Sequence, residues 1–358
     1  MERRDFLKLT AASGLLIAAD ALPSQASGTK ALPPDAVGIL YDATLCIGCK
    51  ACMVSCKQVN SQKGGALWSE GMTAPPYESA GGLPTWDAPT DLTGRTLNII
   101  QAYRNGESTT KDDVNGYSFV KRHCMHCVHP GCVSACPVSA MIKNPVNGIV
   151  EYNPDKCIGC RYCVVACPFG IPKYQLDDPL GRIGKCELCR HRHKDGYYSA
   201  CAEVCPTGAT LFGRTEDLLA EAKRRLALKP GTVTKFPRGR LRPATERMLQ
   251  GQADGKGEKH RHGWRDEPDQ IYEGTVGKYV QHVYGEKEYG GTQVLKLSGV
   301  TFEKVGMPNL PPYSSAATSE TIQHSLYGGM LMPIAVLGAL TWVAKRNVKP
   351  DDDSGEQS

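Results

Sequence analysis

Several things are scarce in this sequence. Phe and Trp number 6 and 4 in 358 residues, and aromatic side chains reach only 7%. With 38 Gly and 24 Pro beside so few rings, composition points to much loop and turn, yet stays short of fibrous or disordered chains. Charge of one sign is lacking too: 42 Lys+Arg meet 37 Asp+Glu. A net +5 over this length leaves no nucleic-acid footprint. There is no Gly-rich dinucleotide fingerprint and no nucleophile with a base at recognisable spacing, so no catalytic apparatus is legible. The length allows two or three domains' worth of core. What stands out is cysteine, at 16. That number permits disulfides, metal centres or scattered buried thiols, and spacing must choose among them.

The sixteen cysteines fall into four groups of four. Cys46, Cys49, Cys52 and Cys56 are spaced C-x2-C-x2-C-x3-C. Cys124, Cys127, Cys132 and Cys136 come next with a wider middle gap, then Pro137. Cys157, Cys160, Cys163 and Cys167 repeat the first spacing before Pro168, and Cys186, Cys189, Cys201 and Cys205 end at Pro206. The compact spacing with a trailing proline is the bacterial ferredoxin signature for a [4Fe–4S] cluster. Three thiolates two residues apart wrap three corners of a cubane. The fourth, three residues on, starts a helix that leads away and serves the neighbouring cluster. Disulfides are disfavoured, because so many CxxC neighbours would make strained, tiny rings. Zinc remains an alternative for four cysteines, although only the last group has the long gap usual between zinc knuckles.

Internal duplication carries the same message. Cys46-Ile47-Gly48-Cys49 recurs as Cys157-Ile158-Gly159-Cys160, and Cys136-Pro137 opens the same turn as Cys205-Pro206. Strand-like runs flank the motifs at Gly38 to Asp42, Tyr117 to Lys121, Ile149 to Tyr152 and Leu211 to Gly213, and residues 144–148 read as the turn of a β-pair. The expected fold is α+β: two fused ferredoxin-like units, each holding two clusters, over residues 37–213. Only residues 137–156 separate the second and third motifs, so those two pair as halves of one ferredoxin, and the first pairs with the fourth. Cys46, Cys49, Cys52 and Cys205 then hold one cluster, and Cys56, Cys186, Cys189 and Cys201 its neighbour. Cys124, Cys127, Cys132 and Cys167 hold the third, and Cys136, Cys157, Cys160 and Cys163 the fourth. His123, His126 and His129 flank the second motif, but every cluster already has four thiolates. They read as hydrogen-bond donors behind the ligands or as packing.

The chain ends suggest a location. Arg3 and Arg4, followed by Asp5-Phe6-Leu7-Lys8, an apolar run and Ser24-Gln25-Ala26, look like a twin-arginine signal peptide over residues 1–26. A short amphipathic helix is the plainer reading. Residues 326–344 carry no charge and at about 1.5 Å per residue span roughly 28 Å, close to a bilayer core. Tyr327 and Trp342 sit near the ends of this run, with Lys345, Arg346 and Lys349 just beyond. The expectation is a C-terminal transmembrane helix; a buried or interfacial helix is the alternative. Between them lie an insertion at 57–123 and an extension at 214–325, and 345–358 form a tail. Residues 215–228 within the extension read as a helix with Thr215 as N-cap, and 235–265 are basic.

The cysteine motifs over residues 37–213 resemble the four-cluster electron-transfer subunits of membrane oxidoreductases. The paired arginines, the segment from Tyr284 to Leu295 and the C-terminal apolar run narrow this to the iron–sulfur subunits of periplasmic [NiFe] hydrogenases of the hydrogenase-2 type. The resemblance implies four [4Fe–4S] clusters, no catalysis by the chain itself, and the cysteine pairing given above. It implies hydrogenase small and large subunits as electron donors and an integral membrane quinone-reactive subunit as acceptor, on the periplasmic side of the inner membrane. The relay subunit of a molybdenum or tungsten enzyme, such as a formate dehydrogenase or a nitrite or polysulfide reductase, is the alternative. A zinc-binding structural factor stands behind both.

Overall fold

The computed structural model describes residues 32–61, 91–104, 106–112, 115–176, 181–241 and 270–347. The signal-like start, the middle of the insertion with Trp68 and Trp86, and most of the basic stretch and of the tail lie outside them. Strand β1, Val37–Asp42, is buried at every position, as a continuous apolar run without alternation requires. It sits inside a five-stranded sheet of order β10-β9-β8-β1-β11. Helix α1, Ala51–Ser61, comes directly after the first cysteine loop. Three hairpins come next: β2 (Ile99–Arg104) with β3 (Tyr117–Arg122), β4 (Met141–Lys143) with β5 (Val150–Tyr152), and β6 (Lys173–Tyr174) with β7 (Ile183–Gly184). Four-residue helical turns at Gly131–Ser134, Tyr162–Val165, Arg190–His193 and Ala200–Glu203 carry or adjoin cysteines.

Strand β8, Thr210–Arg214, returns antiparallel beside β1, with Ile39 opposite Phe212. Helix α2, Thr215–Ala227, then covers the sheet with Leu218 and Ala222. Thr215 is its first helical residue rather than its cap, and its Oγ1 donates to the Ala36 carbonyl at 3.2 Å. Strands β9 (Val233–Arg240), β10 (Gln270–Thr275) and β11 (Val294–Leu297) complete the sheet, within a region the sequence presents as an irregular extension. Strand β11 lies parallel to β1, with Leu40 beside Leu295. Each fully buried Ile or Leu in this sheet contributes about 1.5–3 kcal/mol over an exposed one. In the β4–β5 hairpin, Asn144 Oδ1 accepts from the amides of Val146 and Asn147, closing the turn expected there.

One expectation is corrected. Residues 326–344 fall in helix α3, Ser315–Asn347, which from Ala316 onward belongs to a separate unit. Among the described residues, no helix is long and apolar enough to cross a membrane. The 33-residue helix opens on Thr318, Glu320, Gln323 and Ser325, and Gly329, Pro333, Gly338 and Thr341 dilute its later turns. Among the described residues the fold is therefore a mixed α/β body, without the transmembrane helix expected over 326–344.

Candidate cluster-binding site

The first cysteine loop leaves β1 through a backbone bond from the Cys46 amide to the Asp42 carbonyl at 3.2 Å. Gly48 and Lys50 adopt positive φ, which winds the loop before α1 begins. Cys46 lies within electrostatic reach of Cys52 and of Cys205, the last cysteine of the chain. Cys56, one turn further along α1 than Cys52, faces Cys189, Cys186 and Cys201 instead. Those four thiols line one small cavity together with Asn98 and His123. Cys127 has Cys124, Cys167 and Cys132 as neighbours. Cys163 has Cys157, Cys136 and Cys160.

The groups form a series. Cys201 of the second group is within reach of Cys52 of the first. Cys186 reaches Cys124 of the third, and Cys132 of the third reaches Cys163 of the fourth. Only Cys49 and Cys160 are exposed among the sixteen cysteines, one at each end of the series. Beside them Ile47 and Ile158 stand open, at 56% and 64% exposure.

Left-handed residues recur in corresponding places. Ser139, Gly170 and Gly208 each stand three residues after the fourth cysteine of their motif, with positive φ. The turn they make lets later amides point back at sulfur: Ala140 N–H donates to Cys136 Sγ at 3.2 Å and Thr210 N–H to Cys205 Sγ at 3.4 Å. Gly159 and Leu188 amides do the same for Cys157 and Cys186. Such N–H groups set cluster potentials.

Other side chains brace the loops. Lys143 donates to the Cys127 carbonyl at 2.9 Å and to Gln293 Oε1 at 2.9 Å. Gln293 in turn bonds the Val37 and Asn147 carbonyls. The segment singled out by its sequence, Tyr284 to Leu295, straps the third loop: Gly291 accepts from Val128, Thr292 bridges Cys127, and the Gln293 amide donates to the His126 carbonyl. His126 Nδ1 accepts from the Val150 amide at 3.0 Å, so its ring positions β5. His123 is also buried, with Nδ1 on the Cys124 carbonyl at 3.0 Å. Within the insertion, Asn98 donates to the Cys52 carbonyl at 2.9 Å, so this part closes over the first two groups.

The donor sets fit [4Fe–4S] clusters. Three groups gather four sulfurs each, the complement such a cluster takes, and the first gathers Cys46, Cys52 and Cys205 beside the loop that carries Cys49. Burial, with Cys189 and Cys52 adding to it, pushes the Cys201 thiol up to about 11 despite nearby Lys121. Burial and the neighbouring thiols lift Cys163 to about 11 as well. Thiols so placed give up their protons readily only to a bound metal core.

This arrangement defines an iron–sulfur protein of the ferredoxin class. Residues 115–215 match the family of 4Fe-4S dicluster domains. The hydrogenase-2 operon protein HybA of Escherichia coli O157:H7 is 43% identical over 361 residues, covering 99% of this chain and 98% of the relative. A formate dehydrogenase iron-sulfur subunit of Haemophilus influenzae is 34% identical over 227 residues, 63% of this chain and 64% of that one. The nitrate-inducible formate dehydrogenase iron-sulfur subunit of Escherichia coli K12 is also 34% identical, over the same share of this chain. The chain belongs to the HybA family.

Proposed function

We propose that the chain is the electron-transfer subunit that links the small and large subunits of a periplasmic [NiFe] hydrogenase to a membrane quinone-reactive subunit. When bound, each [4Fe–4S] cluster supplies a one-electron redox site. Cys46, Cys49, Cys52 and Cys205 hold the first, and Cys56, Cys186, Cys189 and Cys201 the second. Cys124, Cys127, Cys132 and Cys167 hold the third, and Cys136, Cys157, Cys160 and Cys163 the fourth. The observation that carries the reading is the unbroken series of four thiol groups, buried in the middle and exposed at Cys49 and Cys160. The inner residues keep water out, and the two open ends leave room for a donor and an acceptor. The chain itself performs no catalysis in this reading. The full-length likeness to HybA favours a hydrogenase partner, and the paired arginines support twin-arginine export to the periplasm.

Purification from membranes in mild detergent tests the assignment. Co-recovery with a nickel-containing hydrogenase, with about sixteen irons per chain, is the expected result. Recovery with a molybdenum or tungsten enzyme would move the chain to the formate dehydrogenase type, to which its partial likeness points. One zinc for every four cysteines would end the electron-transfer reading. Cys→Ser at any ligand is expected to stop quinone reduction while hydrogen-dependent dye reduction by the catalytic subunits continues.

A further inference from the structure

Lys121, on β3, has no exposed surface at all. Its Nζ donates to Thr210 Oγ1 at 3.3 Å, and the Thr210 amide donates to Cys205 Sγ at 3.4 Å. Around it stand the sulfurs of Cys201 and Cys56 of the second group and of Cys52 and Cys205 of the first, with Lys296 on its backbone carbonyl. It makes no ion pair with a carboxylate among the described residues. An isolated ammonium buried this deeply costs several kcal/mol, and the usual response is to lose the proton. Cysteines of both sites surround it, and once they ligate clusters they supply the negative charge that an ammonium there would need.

The neighbouring Lys296 shows what happens without them. It is equally buried, and its Nζ donates to the Lys121 carbonyl at 2.7 Å and faces Met307 Sδ at 3.5 Å. Burial, with Arg122 and Lys121 nearby, pushes it down to about 7. The two lysines, joined by one hydrogen bond, thus differ in surroundings: one lies among the cysteines of two sites, and the other faces a carbonyl and a thioether.

We infer that Lys121 is a positioning residue of the electron relay: a fixed positive charge shared by the first two cluster sites, which raises the reduction potentials of both. Each reduction takes up one electron and leaves the ammonium protonated. The inference rests on the four-cluster reading above.

The test is a redox titration of the purified complex followed by electron paramagnetic resonance, with iron counted beforehand. In Lys121→Met, two of the four midpoints shift negative, about tenfold or more in the reduction equilibrium, which is about 59 mV for one electron. The other two stay in place, and Lys121→Arg keeps all four. Full iron with four unmoved midpoints in Lys121→Met overturns the inference. If the Met variant loses iron, Lys121→Gln takes its place, because it keeps a hydrogen-bonding side chain beside Thr210 while removing the charge. The same two midpoints must then move, and no movement overturns the inference. Lys296→Met serves as the control: it should leave every midpoint in place, and a shift equal to that of Lys121→Met would reduce the effect to general core disturbance. Zinc, or too little iron for four clusters, in the unaltered chain would defeat the cluster reading instead.

Discussion

Arg225 and Asp42 meet at 2.9 Å with no side-chain surface exposed on either. The pair fastens α2 to the end of β1. Glu221 Oε1 takes a second bond from Arg225 at 2.8 Å, and Tyr279 donates to Asp42 Oδ2 at 2.8 Å. Removing one partner strands the other charge in the core. Arg225→Ala is expected to lower unfolding free energy by about 3–5 kcal/mol, read from denaturant melting of the iron-loaded protein. The double variant Arg225→Met with Asp42→Leu should recover part of that loss, because no charge is then left unpaired. A double variant weaker than both single variants combined would contradict this account.

Alkaline stability depends on Lys296. Its folded pKa, about 7, lies below the ordinary lysine value of 10.5. The unfolded chain therefore binds more protons between those limits, and stability from this group rises with pH across that window, at up to about 1.4 kcal/mol per pH unit. Below pH 7 the burial penalty is fully present. Lys296→Met removes the titrating group, so melting curves taken from pH 7 to pH 10 should lose this slope. An unchanged slope in the variant would rule Lys296 out as its source.

Gly48 and Gly159 occupy the same place in the repeated Cys-Ile-Gly-Cys motif, both with φ of +70°. Their surroundings differ. A Cβ on Gly48 would fall 2.4 Å from the Phe119 ring, whereas on Gly159 the nearest atom is Tyr174 Oη at 3.5 Å. Gly159→Ala should cost only the left-handed backbone strain, about 1–2 kcal/mol. Gly48→Ala adds overpacking of about 1–3 kcal/mol and should lose iron first on mild heating. Equal iron retention in the two variants would show that Phe119 yields freely.

Cys56 separates from its own motif. In Cys56→Ser the resonance signal that changes should belong to the cluster site of Cys186, Cys189 and Cys201, and the same signal should change in Cys186→Ser. Cys46→Ser should alter a different one. If Cys56→Ser and Cys46→Ser altered the same signal, the handover between motifs would be wrong.

Metal-ligand spacing is a local property, so the grouping of cysteines is legible in the sequence, as are the Asn144 turn and the strand at Val37–Asp42. Pairing of β1 with β11 is not, because nothing near Val37 announces Val294. Strands β9 and β10 hide in a region rich in charge. Lys121 is missed for another reason: in Tyr117–Arg122 a lysine after Val120 reads as a polar position on a strand, and only the sulfurs gathered from distant segments make its burial tolerable. The apolar run at 326–344 misleads in the opposite direction, since length without charge suggests a span that its glycines, proline and threonine weaken.

The parallel seam between β1 and β11 bears on the timing of biogenesis. Leu40 is among the first described residues to leave the ribosome, yet its partner Leu295 emerges some 250 residues later. Until then one edge of an apolar strand stays open, a state that favours aggregation and slow closure. Chains cut short before Val294 leave that edge without its partner. The last sheet strand thus acts as a late latch: β1 is covered along both edges only once Val294–Leu297 has joined it.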